Sequence, residues 1–253
     1  MIRRLAAFAA STVLATALAA APAPAAEIDN AAQYRACMAL AAQDPEQALE
    51  KAMAWRDLGG GDAARHCVAK ALMGLGQYDE AARRFEVLAQ DIKAEPAFKA
   101  RILGHAAQAW LMGGSPQRAR GVLAAALRLE PDDADLLVDR AVVLGTLGKY
   151  RDAIDDLDRA IAGAPTRAEA FVFRAGARRL LGDLVGAEAD VRRALTLDAN
   201  HPDGLLERGI IRRLRGDDVG ARRDWLRVLD LEANGPIADA ARANIEKMDV
   251  KAR

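Results

Sequence analysis

Residues Ala134 to Arg167 read ADLLVDRAVVLGTLGKYRDAIDDLDRAIAGAPTR. Apolar residues recur at three- and four-residue spacing on either side of Leu147-Gly148-Lys149-Tyr150, the pattern of two short amphipathic helices joined by a turn. Gly148 stands where the first helix must stop, because the residue just past a helix end commonly takes a left-handed conformation that glycine adopts freely. Sliding the chain against itself by the interval from Gly114 to Gly148 places Gly148 on Gly182 and Gly182 on Gly216, while Ala119, Ala153, Ala187 and Ala221 fall on one another in the same way. A shared period of about 34 residues predicts a stack of helix pairs, each burying its apolar face against the next.

Numbered 1 to 34 within each unit, positions 4, 8, 15, 17, 20, 24, 27 and 32 hold Leu137, Ala141, Gly148, Tyr150, Ala153, Leu157, Ala160 and Pro165. The preceding unit has Leu103, Ala107, Gly114, Ala119, Leu123, Ala126 and Pro131; the following ones have Phe171, Ala175, Gly182, Ala187, Val191 and Ala194, then Leu205, Gly209, Gly216, Ala221 and Trp225. This alternation of large, small and glycine residues resembles the tetratricopeptide repeat family over nearly all of the chain after residue 28. The resemblance implies an all-α fold, a right-handed superhelical solenoid of helix-turn-helix repeats. Small residues at positions 8, 20 and 27 suit points where two helices cross closely.

The repeats are expected at about 29–61, 62–95, 100–133, 134–167, 168–201 and 202–235, with a capping helix at 236–249, so that residues 27–253 form one solenoid. The first repeat is degenerate, keeping Ala36, Pro45 and Ala48 but replacing the turn glycine with Gln43, as terminal repeats often do. The interval from Ala81 to Ala119 exceeds that from Ala119 to Ala153 by four positions, which predicts a lengthened helix beginning near Pro96. Ahead of all this, Arg3-Arg4 precede an apolar run from Leu5 to Ala21, followed by small residues around Ala23-Pro24-Ala25. Residues 1–26 therefore read as a signal peptide, and the expected location is periplasmic or secreted, with no stable membrane insertion after cleavage. Lysine and arginine match aspartate and glutamate at 36 each; without Arg3 and Arg4 the balance is about minus two, which disfavours nucleic acid as a partner.

Cys37 and Cys67, the two cysteines of the chain, fall by repeat numbering on the first helices of adjacent repeats. A disulfide is expected in an oxidising compartment, with two buried thiols as the alternative. A zinc site needs four ligands, and adding His66 supplies only a third. No metal or cofactor is therefore expected. His66, His105 and His201 are spread over different repeats, and no nucleophile stands beside a base in a recognisable pattern, so an enzyme is not expected.

Two further series keep the same repeat step: Arg140, Arg174, Arg208 and Arg242 at position 7, and Asp156, Asp190 and Asp224 at position 23. The third repeat has Ala106 and Val122 at these places, so the charges come and go together. They are expected to form an internal ladder, with the sequence leaving open whether each aspartate lies in the same repeat or the preceding one. In the family the first helices line a concave groove. Carried over by position, the expected lining is Val138, Val142, Val172, Gly176, Leu206 and Ile210, with Arg179 and Arg213 as a basic rim. This implies a scaffold binding a peptide or helix of another protein. The alternative is an architectural homo-oligomer without a peptide ligand. The lysine and asparagine needed to clamp a terminal carboxylate are missing from positions 5 and 9.

Overall fold

The computed structural model describes residues 30–251, with side chains as far as 249. The expected signal peptide lies outside the described residues. Among these the protein is all helix: α1 (Asn30–Gln43), α2 (Pro45–Asp57), α3 (Gly61–Gly74), α4 (Tyr78–Asp91), α5 (Pro96–Met112), α6 (Pro116–Leu129), α7 (Ala134–Thr146), α8 (Tyr150–Gly163), α9 (Ala168–Leu180), α10 (Leu184–Leu197), α11 (Pro202–Leu214), α12 (Asp218–Leu231) and α13 (Pro236–Lys251). Helices pair as α1/α2 through α11/α12, and α13 packs on the last pair.

Local chemistry fixes the ends of these helices. Gly76, Gly114, Gly148, Gly182 and Gly216 adopt φ between 71° and 85° in the turn inside each pair, a region costly for residues with a Cβ. At Gly148 the turn closes as Lys149 N–H donates to Leu144 O at 2.8 Å and Gly148 N–H to Gly145 O at 3.0 Å, which satisfies carbonyls the helix leaves open. Starts are set by Asp44, Asp133, Asp183 and Asp217, whose carboxylates accept first-turn backbone N–H groups, and by Pro45, Pro96, Pro116 and Pro202 at the first turn. The extra positions before the third unit extend α5 to 17 residues, against 13 for α7.

The crossing points are occupied by the small side chains: Ala141, Ala153 and Ala160 are buried, as are Ala107, Ala119 and Ala126 one unit earlier. Where position 24 holds Trp225 instead of leucine, position 8 holds Gly209. A Cβ at Gly209 would stand 2.3 Å from the indole Nε1, so the glycine makes room for the larger ring.

Curvature follows from which helices touch. First helices pack on one another, α5 on α7, α7 on α9, α9 on α11 and α11 on α13, and no comparable packing joins the second helices among the described residues. A stack closer-spaced on one side bends toward that side. The first helices therefore form the inner wall.

Candidate functional site

Along the inner wall, Val142 on α7, Val172 and Gly176 on α9 and Leu206 on α11 line one cavity of about 260 Å³, together with Phe173 and Leu180. Gly176 leaves this cavity open, since nothing lies closer than 3.9 Å to the place of a Cβ. Val138 is only 2% exposed and belongs to the core rather than to the groove. Val172 is 5% exposed and serves both. Ile210 packs toward the C-terminal apolar cluster of Leu205, Trp225 and Met248.

The two arginines expected as a basic rim are engaged within the chain. Arg179 donates from Nε to Glu207 Oε1 at 2.5 Å and from Nη2 to Oε2 at 3.2 Å, bridging two repeats. Arg213 donates to the carbonyls of Asn244 and Lys247 on α13 at 3.3 and 3.4 Å. Arg179 is thus neutralised and Arg213 is turned toward α13, and Asp203 contributes a further carboxylate to the cavity wall.

A second, polar cavity of about 620 Å³ adjoins it toward the N-terminus, lined by residues that include Tyr34, His66, His105, Gln108, Asp135, Asp139, Arg167 and Glu169. Here the structure corrects the reading of scattered histidines. Tyr34 Oη lies 2.7 Å from His66 Nδ1, and His66 Nε2 lies 3.2 Å from His105 Nδ1. The two imidazoles stack with centroids 5.3 Å apart, and Phe85 lies against both. Next along the wall, Gln108 Nε2 donates to Asp139 Oδ2 at 3.3 Å. Tyr34, His105, Asp139 and Glu207 all occupy position 6 of their repeats, a column omitted from the expected groove positions. Its repeated polar character was the signal that could have found them.

The groups in this cavity titrate away from their ordinary values. Burial, helped by the neighbouring His105 and Lys70, lowers His66 from 6.5 to about 4. Burial, with Lys70 and Arg101, does the same to His105. Asp139 is pushed up from 3.8 to about 6, chiefly by burial, with the Gln108 hydrogen bond opposing and Glu169 and Asp135 assisting. Tyr34 is raised by burial against the pull of Arg101.

A histidine depressed to about 4 contributes stability present above 6.5 and lost as pH falls toward 4. A carboxyl raised to about 6 contributes stability present below 3.8 and lost as pH rises through 6. Two histidines against one aspartate leave a net uptake of about one proton on unfolding between pH 6 and 4, or roughly 1.4 kcal/mol per pH unit. Tyr34 on α1, Lys70 on α3 and Arg101 on α5 are the ionisable groups that act directly on the pair, and Asp133, Asp135, Asp139, Arg167 and Glu169 line the rest of the cavity. Urea melts across this range are expected to show that slope reduced by about one proton in a His105→Gln variant. An unchanged slope would mean that His105 is not held neutral.

Against known proteins, the tetratricopeptide repeat profile matches residues 69–134 and 138–202, more than half of the chain. The chain belongs to the tetratricopeptide repeat family. Human tetratricopeptide repeat protein 13 is 32% identical over 103 residues, which is 39% of this chain and 12% of that much longer protein. Among solved structures, MamA 41-end from Desulfovibrio magneticus RS-1 superposes with a TM-score of 0.57 at 22% identity, covering 68% of this chain and 95% of that one. The human IFIT1 dimer with PPP-AAAA reaches 0.66 at 17% identity, covering 88% of this chain and 54% of that one. At these identities the two structures share the fold. Tetratricopeptide repeat proteins are in general non-enzymatic scaffolds for protein-protein interaction.

In most tetratricopeptide repeats position 7 is an apolar packing residue, and here it is the arginine series. Arg140, Arg174 and Arg208 each grip the aspartate of their own repeat with two hydrogen bonds: Asp156 at 2.6 and 2.5 Å, Asp190 at 2.9 and 2.6 Å, and Asp224 at 2.9 and 2.7 Å. The choice the sequence left open is settled in favour of the same repeat. Arg242 stands apart, donating to Asp239 and to the Ala233 carbonyl, because α13 has no second helix to supply a position 23. A second arginine series went unread. Arg178 and Arg212, again one repeat length apart, donate to Asp190 at 2.8 Å and Asp224 at 2.7 Å. Arg174 also reaches back to Asp158 of the preceding repeat at 2.6 Å.

Proposed function

We propose that this protein is an extracytoplasmic interaction scaffold, binding a peptide or helix of another protein in the groove along its first helices. The carrying observation is the open 260 Å³ cavity in which three repeats present Val142, Gly176 and Leu206 on the inner wall. The cavity is apolar and lies on the inner wall, and one of this size accommodates an apolar side chain. Two features support the location: the leader-like composition of residues 1–26, and the Cys37–Cys67 disulfide, a bond favoured in oxidising compartments.

The test is crosslinking in the intact cell envelope, comparing wild type with a Val142→Glu, Leu206→Glu variant by mass spectrometry of what co-purifies. Both side chains are only half-buried, so the variant is expected to keep its helical circular dichroism while losing the partner. Retention of the same partner would move binding off the inner wall. A second reading, self-association, is favoured by the exposed Leu180, Leu181, Val185, Leu214 and Val219 at the turns of the last two repeats. A mass in light scattering that stays monomeric with concentration would exclude it.

A further inference from the structure

Resting on the groove reading, we infer that the polar cavity beside the apolar one receives a cationic side chain, an arginine or lysine of the bound segment, against the carboxyl of Asp139. The comparison with the rest of the molecule carries this. The deeply placed carboxylates Asp156, Asp190, Asp224 and Glu207 are each held by one or two guanidinium groups. Asp139 is half-buried in the cavity wall; among the described residues it has no cation within ion-pairing distance, although the Arg167 charge reaches it, and it accepts one amide hydrogen bond, from Gln108 at 3.3 Å. An isolated carboxylate in a shielded place is costly unless paired. Here that cost is visible in the upward displacement of its titration to about 6. A partner's cation would remove it.

The cavity has room and the right charge. Its volume is about 620 Å³, ample for a guanidinium. Of its two arginines, Arg167 is shared between Asp135 and Glu169, and Arg101 lies over the Phe98 ring at 5.3 Å. Four carboxyl-bearing residues, Asp133, Asp135, Asp139 and Glu169, thus face two arginines, of which Arg167 alone is ion-paired, and the histidines between them are neutral at pH 7. An anionic ligand would meet repulsion here, whereas a cation gains a charge-assisted hydrogen bond.

The geometry also sets the spacing of the two anchors. Helices α7 and α9 wall both cavities. Asp139 and Val142 stand one helical turn apart on α7, and successive inner helices pack about 8–10 Å apart. Basic and apolar side chains about 10 Å apart satisfy both cavities, which is roughly three residues of extended chain or two turns of helix.

A random twelve-residue peptide display library, selected on the immobilised chain lacking residues 1–26, tests this without knowledge of the natural partner. Wild type is expected to enrich peptides with Arg or Lys about three or seven residues from a large apolar residue. Exchanging the basic residue of a selected peptide for Gln should weaken binding to wild type about tenfold, and binding to Asp139→Asn less than about twofold. Asp139→Asn keeps the shape and the Gln108 neighbour while removing the charge, and its melting temperature should not fall. Selected peptides with an apolar residue but no basic one, or a basic preference that survives Asp139→Asn, would overturn the cation site and leave the groove standing. Failure to select any peptide, or selection of the same peptides by Leu206→Glu, would overturn both.

Discussion

Replacing Asp190 with alanine is expected to destabilise the protein by about 3 to 5 kcal/mol. Asp190 is 4% exposed and accepts from both Arg174 and Arg178. Removing it leaves two guanidiniums in a half-buried interface, with only Asp158 still reaching Arg174. The loss is thus mainly the stranding of charge. The chain itself indicates the remedy: its third repeat has Ala106 and Val122 where this one has Arg174 and Asp190, and the fourth has Leu144 where this one has Arg178. An Arg174→Leu, Arg178→Leu, Asp190→Val variant is therefore expected to recover most of the stability, since well-packed apolar residues often replace a buried ion pair at little cost. Thermal melts should separate Asp190→Ala from wild type by roughly 10 °C. A shift near zero would show the ladder to be solvated and energetically idle.

The contrast between ladder and groove explains what could be read from the sequence. Arg140, Arg174 and Arg208 could be matched to Asp156, Asp190 and Asp224 because both series keep the repeat step, so the contact recurs by symmetry and any repeat reports it. The same step exposed Gly148 and the alanines at the crossings. His66 and His105 are not separated by the repeat length and stand at different repeat positions. The alanine spacing foretells the longer α5, but no periodic comparison says which side chains of α3 and α5 then meet. Arg179 and Glu207 form a single cross-repeat pair with no copy one repeat earlier, because Gly145 and Phe173 stand at the corresponding places. Repetition makes packing legible; a binding surface is written in the departures from it. That is also why Val138 was assigned to the groove, since a family position gives the direction of a side chain but not how closely the neighbouring α5 and α9 cover it.

Cleavage of the Cys37–Cys67 disulfide is expected to release the N-terminal repeat and leave the rest of the solenoid folded. Helix α1 buries only Cys37 and Ala41, too little apolar surface to hold 14 residues in place by itself. Its other ties are few: Leu40 and Tyr34 are partly buried against neighbouring clusters, Tyr34 also meets His66 at 2.7 Å, and Asn30 Oδ1 accepts from Trp55 at 3.3 Å. The disulfide closes a sequence separation of 30 residues; in the chain-entropy account such a loop contributes roughly 3 to 4 kcal/mol. In a solenoid each repeat senses its neighbours, so the loss should stay local. Hydrogen exchange on a Cys37→Ser, Cys67→Ser variant is expected to show protection falling in α1 and α2, weakening through α3, and unchanged from α7 to α12. Alkylation of the native protein in denaturant should find no free thiol. Uniform loss of protection along the whole chain would instead make the first repeat part of one cooperative unit, and unchanged protection in α1 would mean that the non-covalent ties suffice.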